Sequence, residues 1–228
     1  MTQTALRPRT LRLTRRHAGT AALLVAVVGG TLGATTLLTD DSATAATATR
    51  AVVVRPVTHA GRAAAGYRVV ADHRAPIECT DRAAAAVDDD IAFCGSSADY
   101  TVACWPAATA HRVLCLTDPF TRTLRRIRLA GAFPAVTAPR HPSPQALQLA
   151  GGTRYLVRDG GAAGSVREHP TWVPFYYQRH GTRAVWGPLG GDGVNRHHAR
   201  WAVTVYRDDR GHGVRHGVTR AYYVGTAR

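Results

Sequence analysis

Four cysteines within one short window are the feature that most constrains the fold. They stand at Cys79, Cys94, Cys104 and Cys115. No two of them form the Cys-x-x-Cys pair that zinc and redox sites usually contain. An even number of such cysteines favours two disulfides if the chain is exported. Three pairings are possible, and we favour Cys79–Cys94 with Cys104–Cys115 because the second pair would then join consecutive predicted strands.

Short runs of alternating apolar and polar residues, separated by turn residues, fill the chain beyond residue 66. Such runs are typical of half-buried strands. The clearest runs are 101–105, 112–116, 147–149 with 155–157 as a hairpin, and 201–206 with 218–224 as a second hairpin. Only residues 80–87 favour a short helix, with Thr80 as its N-cap. The pattern predicts a small all-β domain, mainly antiparallel, built as a sandwich or partial barrel, with little helix apart from the N-terminal signal segment.

The first 48 residues have the order of a secretory signal peptide. An arginine-rich stretch at 7–16 precedes an uncharged core, and two Ala-x-Ala sites end at Ala45 and Ala48. Arg15-Arg16 supplies half of a twin-arginine motif, so the export route stays open. The alternative is an uncleaved anchor that would meet the membrane through residues 19–39.

These features divide the chain into three parts. Residues 1–48 are predicted to be a signal peptide or signal anchor, and residues 49–66 a linker, for which a first edge strand is the alternative. Residues 67–228 form a single disulfide-containing β domain. We therefore expect a secreted, extracellular protein, and a membrane-anchored protein if the leader is not cleaved.

The net charge of +14 has two interpretations. All 29 basic residues are arginine, which fits a genome whose composition replaces lysine by arginine. The functional interpretation is an anionic envelope polymer as partner. An exported chain is not expected to meet intracellular nucleic acid, and membrane contact is expected only through residues 19–39.

Several short motifs in the chain resemble those of a known group of proteins. They are Cys-Gly…Cys-Trp at 94–105, Cys-Leu-x-Asp-Pro-Phe at 115–120, Ala-Val-Trp-Gly-Pro at 184–188, Asp-Gly-Val-Asn-Arg at 192–196 and Ala-Tyr-Tyr-Val-Gly-Thr-Ala at 221–227. Over most of residues 79–227 the chain resembles an uncharacterised family of secreted proteins from mycobacteria and related actinobacteria. The resemblance implies an extracellular location and no particular activity. Relatives tend to carry a further cysteine pair near Tyr155 and Tyr177, which this chain lacks.

Residues for catalysis or metal binding are sparse. His198, His212 and His216 could hold zinc if the loop that contains His212 meets the start of the preceding strand; a solvated loop is the alternative. The chain has no Gly-x-Ser-x-Gly nucleophile elbow. Glu78 and Glu168 are the only glutamates, so the paired carboxylates of a glycosidase are poorly supplied. No cofactor is expected.

An aromatic cluster offers a different kind of site. Trp172, Tyr176, Tyr177 and Trp186 lie close together in sequence, near several arginines. If they are exposed, they would form a platform on which a carbohydrate or other polymer stacks. The alternative is that they fill the core of a small β domain.

The sequence favours a non-catalytic exported protein that acts at or outside the cell envelope and binds an envelope component. The alternative is a secreted wall hydrolase with a His/Asp or metal site within residues 197–216.

Overall fold

The described residues of the computed structural model form strands and no helix. These residues are 47–96, 101–158, 160, 164–207 and 211–228. The strands are β1 (Arg50–Thr58), β2 (Arg68–Ala71), β3 (Cys79–Arg82), β4 (Ala92–Cys94), β5 (Thr101–Pro106), β6 (Arg112–Cys115), β7 (Thr123–Arg128), β8 (Ala146–Leu149), β9 (Arg154–Val157), β10 (Trp172–Gln178), β11 (Ala184–Pro188), β12 (Val194–Asn195), β13 (Ala202–Tyr206) and β14 (Val214–Ala227). The predicted all-β class is confirmed. The predicted signal peptide lies outside the described residues as far as residue 46.

Six strands close into an antiparallel barrel. The hydrogen-bonded order β14-β8-β9-β10-β11-β13 returns to β14 because β13 also pairs with β14. Alternate residues of these strands point inward and form a buried core, as period-two geometry requires. That core includes Leu147, Leu149, Tyr155, Tyr176, Val185, Val203, Val205, Val218, Ala221 and Tyr223. The predicted β8–β9 hairpin is confirmed as part of this barrel. β13 and β14 also form a hairpin, but β13 pairs with residues 214–217. The predicted partner segment 218–224 pairs instead with β8 and β1.

The long strand β14 carries neighbours on both edges. Residues 214–217 pair with β13, and residues 220–227 pair with the parallel strand β1. Because β8 pairs with residues 218–222, it must occupy the opposite edge. Thr49 joins the two strands that share one edge: its hydroxyl donates to the Val218 carbonyl at 2.7 Å and accepts from the Trp201 amide at 2.8 Å. The Thr49 side chain therefore continues the hydrogen bonding along this edge of β14, between the end of β13 and the start of β1.

A second sheet, in the order β2-β7-β6-β5-β4-β3, packs against the outer face of β1 and β14. Leu114 and Leu124 of this sheet share a buried cluster with Val57 and Val224. The indole nitrogen of Trp105 donates to the Thr226 hydroxyl at 3.2 Å, and both side chains are buried. The sandwich and barrel forms that the sequence offered as alternatives are thus combined in one molecule.

The disulfides follow the favoured pairing. Cys79–Cys94 joins β3 to β4, and Cys104–Cys115 joins β5 to β6. In each case the two cysteines are direct cross-strand partners. All four lie in a buried cluster that also contains Val113, Ile127 and Leu129 and that Phe133 and Val136 flank. The disulfides therefore hold the second sheet together on the face that does not contact the barrel.

The loop after β6 ties the second sheet to the barrel. Asp118 accepts a hydrogen bond from Arg179 at 2.6 Å, and both side chains are mostly buried. The Phe120 ring packs edge-on against Tyr222 with centroids 4.8 Å apart, and the Arg154 guanidinium lies 4.8 Å from the same ring centroid. The Cys-Leu-x-Asp-Pro-Phe motif thus has a structural role at the junction of the two sheets.

Of the two interpretations of residues 49–66, the first edge strand holds for residues 50–58, which form β1 at the edge of its sheet and pair with residues 220–227 of β14. One local prediction was wrong. Residues 80–87 do not form a helix. Cys79–Arg82 is a strand, and the alanines that follow form a tight turn in which the Ala86 amide donates to the Ala83 carbonyl at 3.1 Å. Val224 exchanges backbone hydrogen bonds with Ala85 and Val87. Backbone pairing and burial of these small side chains between the sheets outweigh the helix propensity of alanine.

Replacement of Thr49 by valine should destabilise the fold, because it leaves the Trp201 amide and the Val218 carbonyl without their partner. The expected loss is about 1–3 kcal/mol in the free energy of unfolding, measured by urea titration. Thr49→Ser keeps the hydroxyl and should retain most of the stability. Equal stability of the valine and wild-type proteins would show that the hydroxyl does not support this junction.

Candidate functional site

A cleft of about 580 Å³ opens on the outer surface of the barrel beside β11, β12 and β13. It is lined by residues 172, 186–188, 191–197, 202–204 and 215. The cleft forms because β11 ends at Pro188 and the chain turns back so that β12 pairs with β13. The turn is very tight: a Cβ on Gly187 would lie 2.7 Å from the Cα of Gly193, so glycine is needed at this contact.

Two half-exposed tryptophans form the aromatic wall of the cleft. The rings of Trp172 and Trp186 both meet the buried Tyr206 ring edge-on, with centroids 6.4 and 6.3 Å away. The imidazole of His169 stacks on Trp172 with centroids 4.0 Å apart. These contacts hold both indoles in place before any ligand binds, which lowers the entropic cost of binding.

The cleft is also lined by polar residues, two of which form an ion pair. Arg196 donates two hydrogen bonds to the Asp192 carboxylate, one of them at 2.9 Å. The same carboxylate accepts the Val194 amide at 3.1 Å. The Arg196 guanidinium also lies 4.9 Å from the centroid of the Trp201 ring. Asp192 and Arg196 therefore compensate each other, whereas Arg215 at the edge of the cleft forms no ion pair within the described residues.

Glu168 fastens the loop beside the cleft to the β13–β14 hairpin. One carboxylate oxygen accepts from the Tyr206 hydroxyl at 2.8 Å and from the Gly213 amide at 3.1 Å. These hydrogen bonds, with a weaker one to His212, hold the pKa of Glu168 at about 2. Burial, followed by the bond to Glu168, raises the pKa of Tyr206 to about 12. The hydrogen bond between Glu168 and Tyr206 therefore helps to fix the Tyr206 ring, against which Trp172 and Trp186 pack.

The four aromatic residues proposed as a platform do not lie on one surface. Trp172 and Trp186 line the cleft, but Tyr176 is 1% exposed, lies in the barrel core and donates to the Pro144 carbonyl. Tyr177 is exposed on β10 and does not line the cleft. Adjacent residues of a strand face opposite sides, so Tyr176 and Tyr177 could not belong to one platform.

The three histidines proposed as zinc ligands occupy separate positions. His198 is exposed before β13, His216 lies on β14 opposite Val203, and His212 is exposed beside Glu168 with a 3.4 Å contact. Across the described ranges, no group of three or more histidine, cysteine, aspartate or glutamate residues could hold a metal ion. His198, His212 and His216 therefore do not form the predicted zinc site among the described residues. Asp208 and Asp209, which fall within the segment 197–216 proposed for a His/Asp or metal site, lie outside the described residues.

The acids near the cleft are poorly placed for a hydrolase. Glycoside hydrolysis needs one carboxyl group that is protonated at working pH to act as general acid. Glu168 is ionised because its pKa is about 2, and Asp192 is held in its ion pair with Arg196. Neither Glu168 nor Asp192 is therefore set up to act as the proton donor.

Some contacts of the site could not be predicted from the sequence. Glu168 and Tyr206 lie 38 positions apart, and no local pattern joins them. Asp192 and Arg196 both stand in the Asp-Gly-Val-Asn-Arg motif, but an ion pair at i,i+4 was not expected outside a helix. Positive φ angles at Gly190 and Gly193 form the turn that brings the two side chains together.

Comparisons of the chain with protein-family models, curated proteins and solved structures found no match. The assignment of the site therefore depends on its geometry. The two disulfides are compatible with an oxidising environment outside the cytoplasm. No helix long and apolar enough to cross a membrane occurs in the described part of the chain.

Replacement of Glu168 by glutamine should lower the melting temperature at pH 7. A folded-state pKa below the ordinary value of 4.5 means that the ionised group stabilises the fold above pH 4.5, and that this stability is lost as the pH falls toward 2. The difference in melting temperature between wild type and variant should therefore shrink over that range. Melting curves at a series of pH values would measure it.

Glu78→Gln is the matched control, because Glu78 is exposed and its side chain has no hydrogen-bond partner within the described residues. It should leave the melting temperature nearly unchanged at every pH. A Glu168 variant that behaved in the same way would contradict the assigned role of Glu168.

Proposed function

We propose that the protein is an exported binding protein that holds a saccharide chain of the cell envelope in the cleft beside Trp172 and Trp186, without catalysing a reaction. The observation that carries this proposal is a pair of half-exposed indoles, held in place by Tyr206, that line a cleft of about 580 Å³ together with polar side chains.

The chemistry of the cleft suits a sugar. A pyranose ring has an apolar C–H face, which packs on an indole, and a rim of hydroxyl groups, which need hydrogen-bond partners. The Asn195 side chain, the Asp192 carboxylate and the Arg215 guanidinium supply such partners along the cleft. Its volume is in the usual range for small-molecule sites, so it fits a few sugar units rather than a protein surface.

The proposed location rests on three further features. The leader has the order of a signal peptide, the cysteines are paired, and the motifs resemble those of secreted actinobacterial proteins. Together they support action at or beyond the cell envelope.

Removal of either indole should weaken saccharide binding. We expect Trp172→Ala and Trp186→Ala each to raise the Kd for a bound glycan about ten-fold, since an aromatic contact contributes roughly 1 kcal/mol beyond its buried area. The measurement is calorimetric titration with soluble glycan strands from purified peptidoglycan and with neutral glucan oligosaccharides.

Tyr177→Ala is the control, because Tyr177 is also exposed and aromatic but lies outside the cleft. It should bind like the wild type. The proposal fails if the wild type binds none of these glycans, or if the Tyr177 variant loses as much affinity as the tryptophan variants.

Export itself has a direct test. Protein recovered from the culture medium of the source bacterium should be lighter than the full 24.4 kDa chain, with cleavage after Ala45 or Ala48. Reduction should add about 2 Da for each disulfide. A full-length mass found in the membrane fraction would instead establish the uncleaved anchor.

A further inference from the structure

The outward face of β14 leads directly away from the cleft. Arg215 lines the cleft and is the cross-strand partner of Thr204. Thr204 lies between Val203 and Val205, which are buried inside the barrel, so Thr204 and Arg215 both point outward. The next outward position along β14 is Gly217.

Arg200 occupies the space above Gly217. A Cβ on that glycine would lie 2.5 Å from the Nε of Arg200 and 3.2 Å from one of its terminal nitrogens. The guanidinium therefore lies across the strand at this point, and only the absence of a side chain at Gly217 makes room for it. The Nε atom is buried and has no hydrogen-bond partner among the described residues.

Arg220 comes next on the same face because of a register shift. Positions 215 and 220 would face opposite sides of a regular strand, but β14 has an irregularity between Val218 and Arg220. Beyond it, Ala221 points into the barrel and Arg220 points outward. Arg220 pairs directly with Arg50 of β1, and both are exposed.

Four arginines thus follow one face of β14 from the cleft toward β1: Arg215, Arg200, Arg220 and Arg50. The distance from Arg215 to Arg220 is about 16 Å at the rise of an extended strand. None of the four forms an ion pair within the described residues. Like charges on neighbouring strands repel each other, so the free protein carries a repulsion that an anionic ligand would relieve.

We infer that these four residues, the β14 arginine track, bind the acidic groups of a polysaccharide whose sugar units occupy the cleft. This inference rests on the proposed function and specifies its ligand as an acidic polysaccharide. Guanidinium groups donate in pairs to carboxylate, sulfate or phosphate oxygens. A polysaccharide that leaves the cleft past Arg215 would meet Arg200 and then Arg220 within the length of a few sugar units.

The test uses dextran sulfate as the anionic probe and uncharged dextran as its neutral counterpart. The track variant is Arg200→Gln with Arg220→Gln. The control variant is Arg126→Gln with Arg128→Gln, which removes the same charge from exposed arginines of β7 that also form no ion pair within the described residues. Circular dichroism would verify that both variants fold.

The track variant should bind dextran sulfate at least about ten-fold more weakly than wild type at low salt. The slope of log K against log salt concentration should fall by roughly one for each arginine removed, as in other polyanion complexes. The control variant should change the affinity less than about two-fold. Equal losses in the two variants, or no binding of dextran sulfate by the wild type, would overturn the inference.

Gly217→Ala adds a test that leaves the net charge unchanged. The new methyl group must displace the Arg200 guanidinium, so binding of dextran sulfate should weaken without any loss of charge. Wild-type affinity in this variant would show that the placement of Arg200 is unimportant and would contradict the track.

Failure of the track and failure of the saccharide cleft give different results. If the track variant loses dextran sulfate while the tryptophan variants bind glycans normally, the track stands and the proposed cleft fails. If the tryptophan variants lose neutral glycans while the track variant retains dextran sulfate, the cleft stands and the track is overturned.

Discussion

The hydrogen bonding of β14 on both of its edges is the constraint on which the rest of the molecule depends. One edge carries β13 and then β1, and the other carries β8. The pairing with β13 closes the barrel. The pairing with β1 extends the outer face on which the second sheet packs. Thr49 makes this possible because its hydroxyl continues the hydrogen bonding where β13 ends and β1 begins. Loss of β14 would therefore remove the closure of the barrel and the support of the second sheet together.

The outward face of β14 divides into two halves with different roles. In its C-terminal half, Tyr222, Val224 and Thr226 are covered by Phe120, the alanine segment and Trp105 of the second sheet and its loops. In its N-terminal half, Arg215 and Arg220 remain exposed. The second sheet stabilises the fold while it leaves the cleft and the adjoining arginines accessible, which is the arrangement that a binding protein requires.

Interactions between neighbouring segments were predictable, and those between distant segments were not. The β8–β9 hairpin follows from alternation on both sides of Gly151-Gly152, a pattern contained in a few residues. The parallel pairing of β1 with β14 joins the two ends of the domain, so residues 49–66 gave no sign of it beyond a possible edge strand. The same limit applies to the site: two tryptophans of the cleft could be named from sequence, but Glu168 could not, because Tyr206 and Gly213 reach it only in the folded chain.

The positions of the arginines, rather than their number, decide which of them are available to a ligand. Genome composition can set how many arginines a protein has, but it does not decide which of them find a carboxylate. Arg55, Arg74, Arg125, Arg179 and Arg196 all pair with aspartates inside the fold. The arginines along β14 have no such partner in the described residues, and the irregularity between Val218 and Arg220 places them on a single face. A regular strand would have separated Arg215 from Arg220. One local shift in register therefore turns a general excess of positive charge into a directed surface that begins at the cleft.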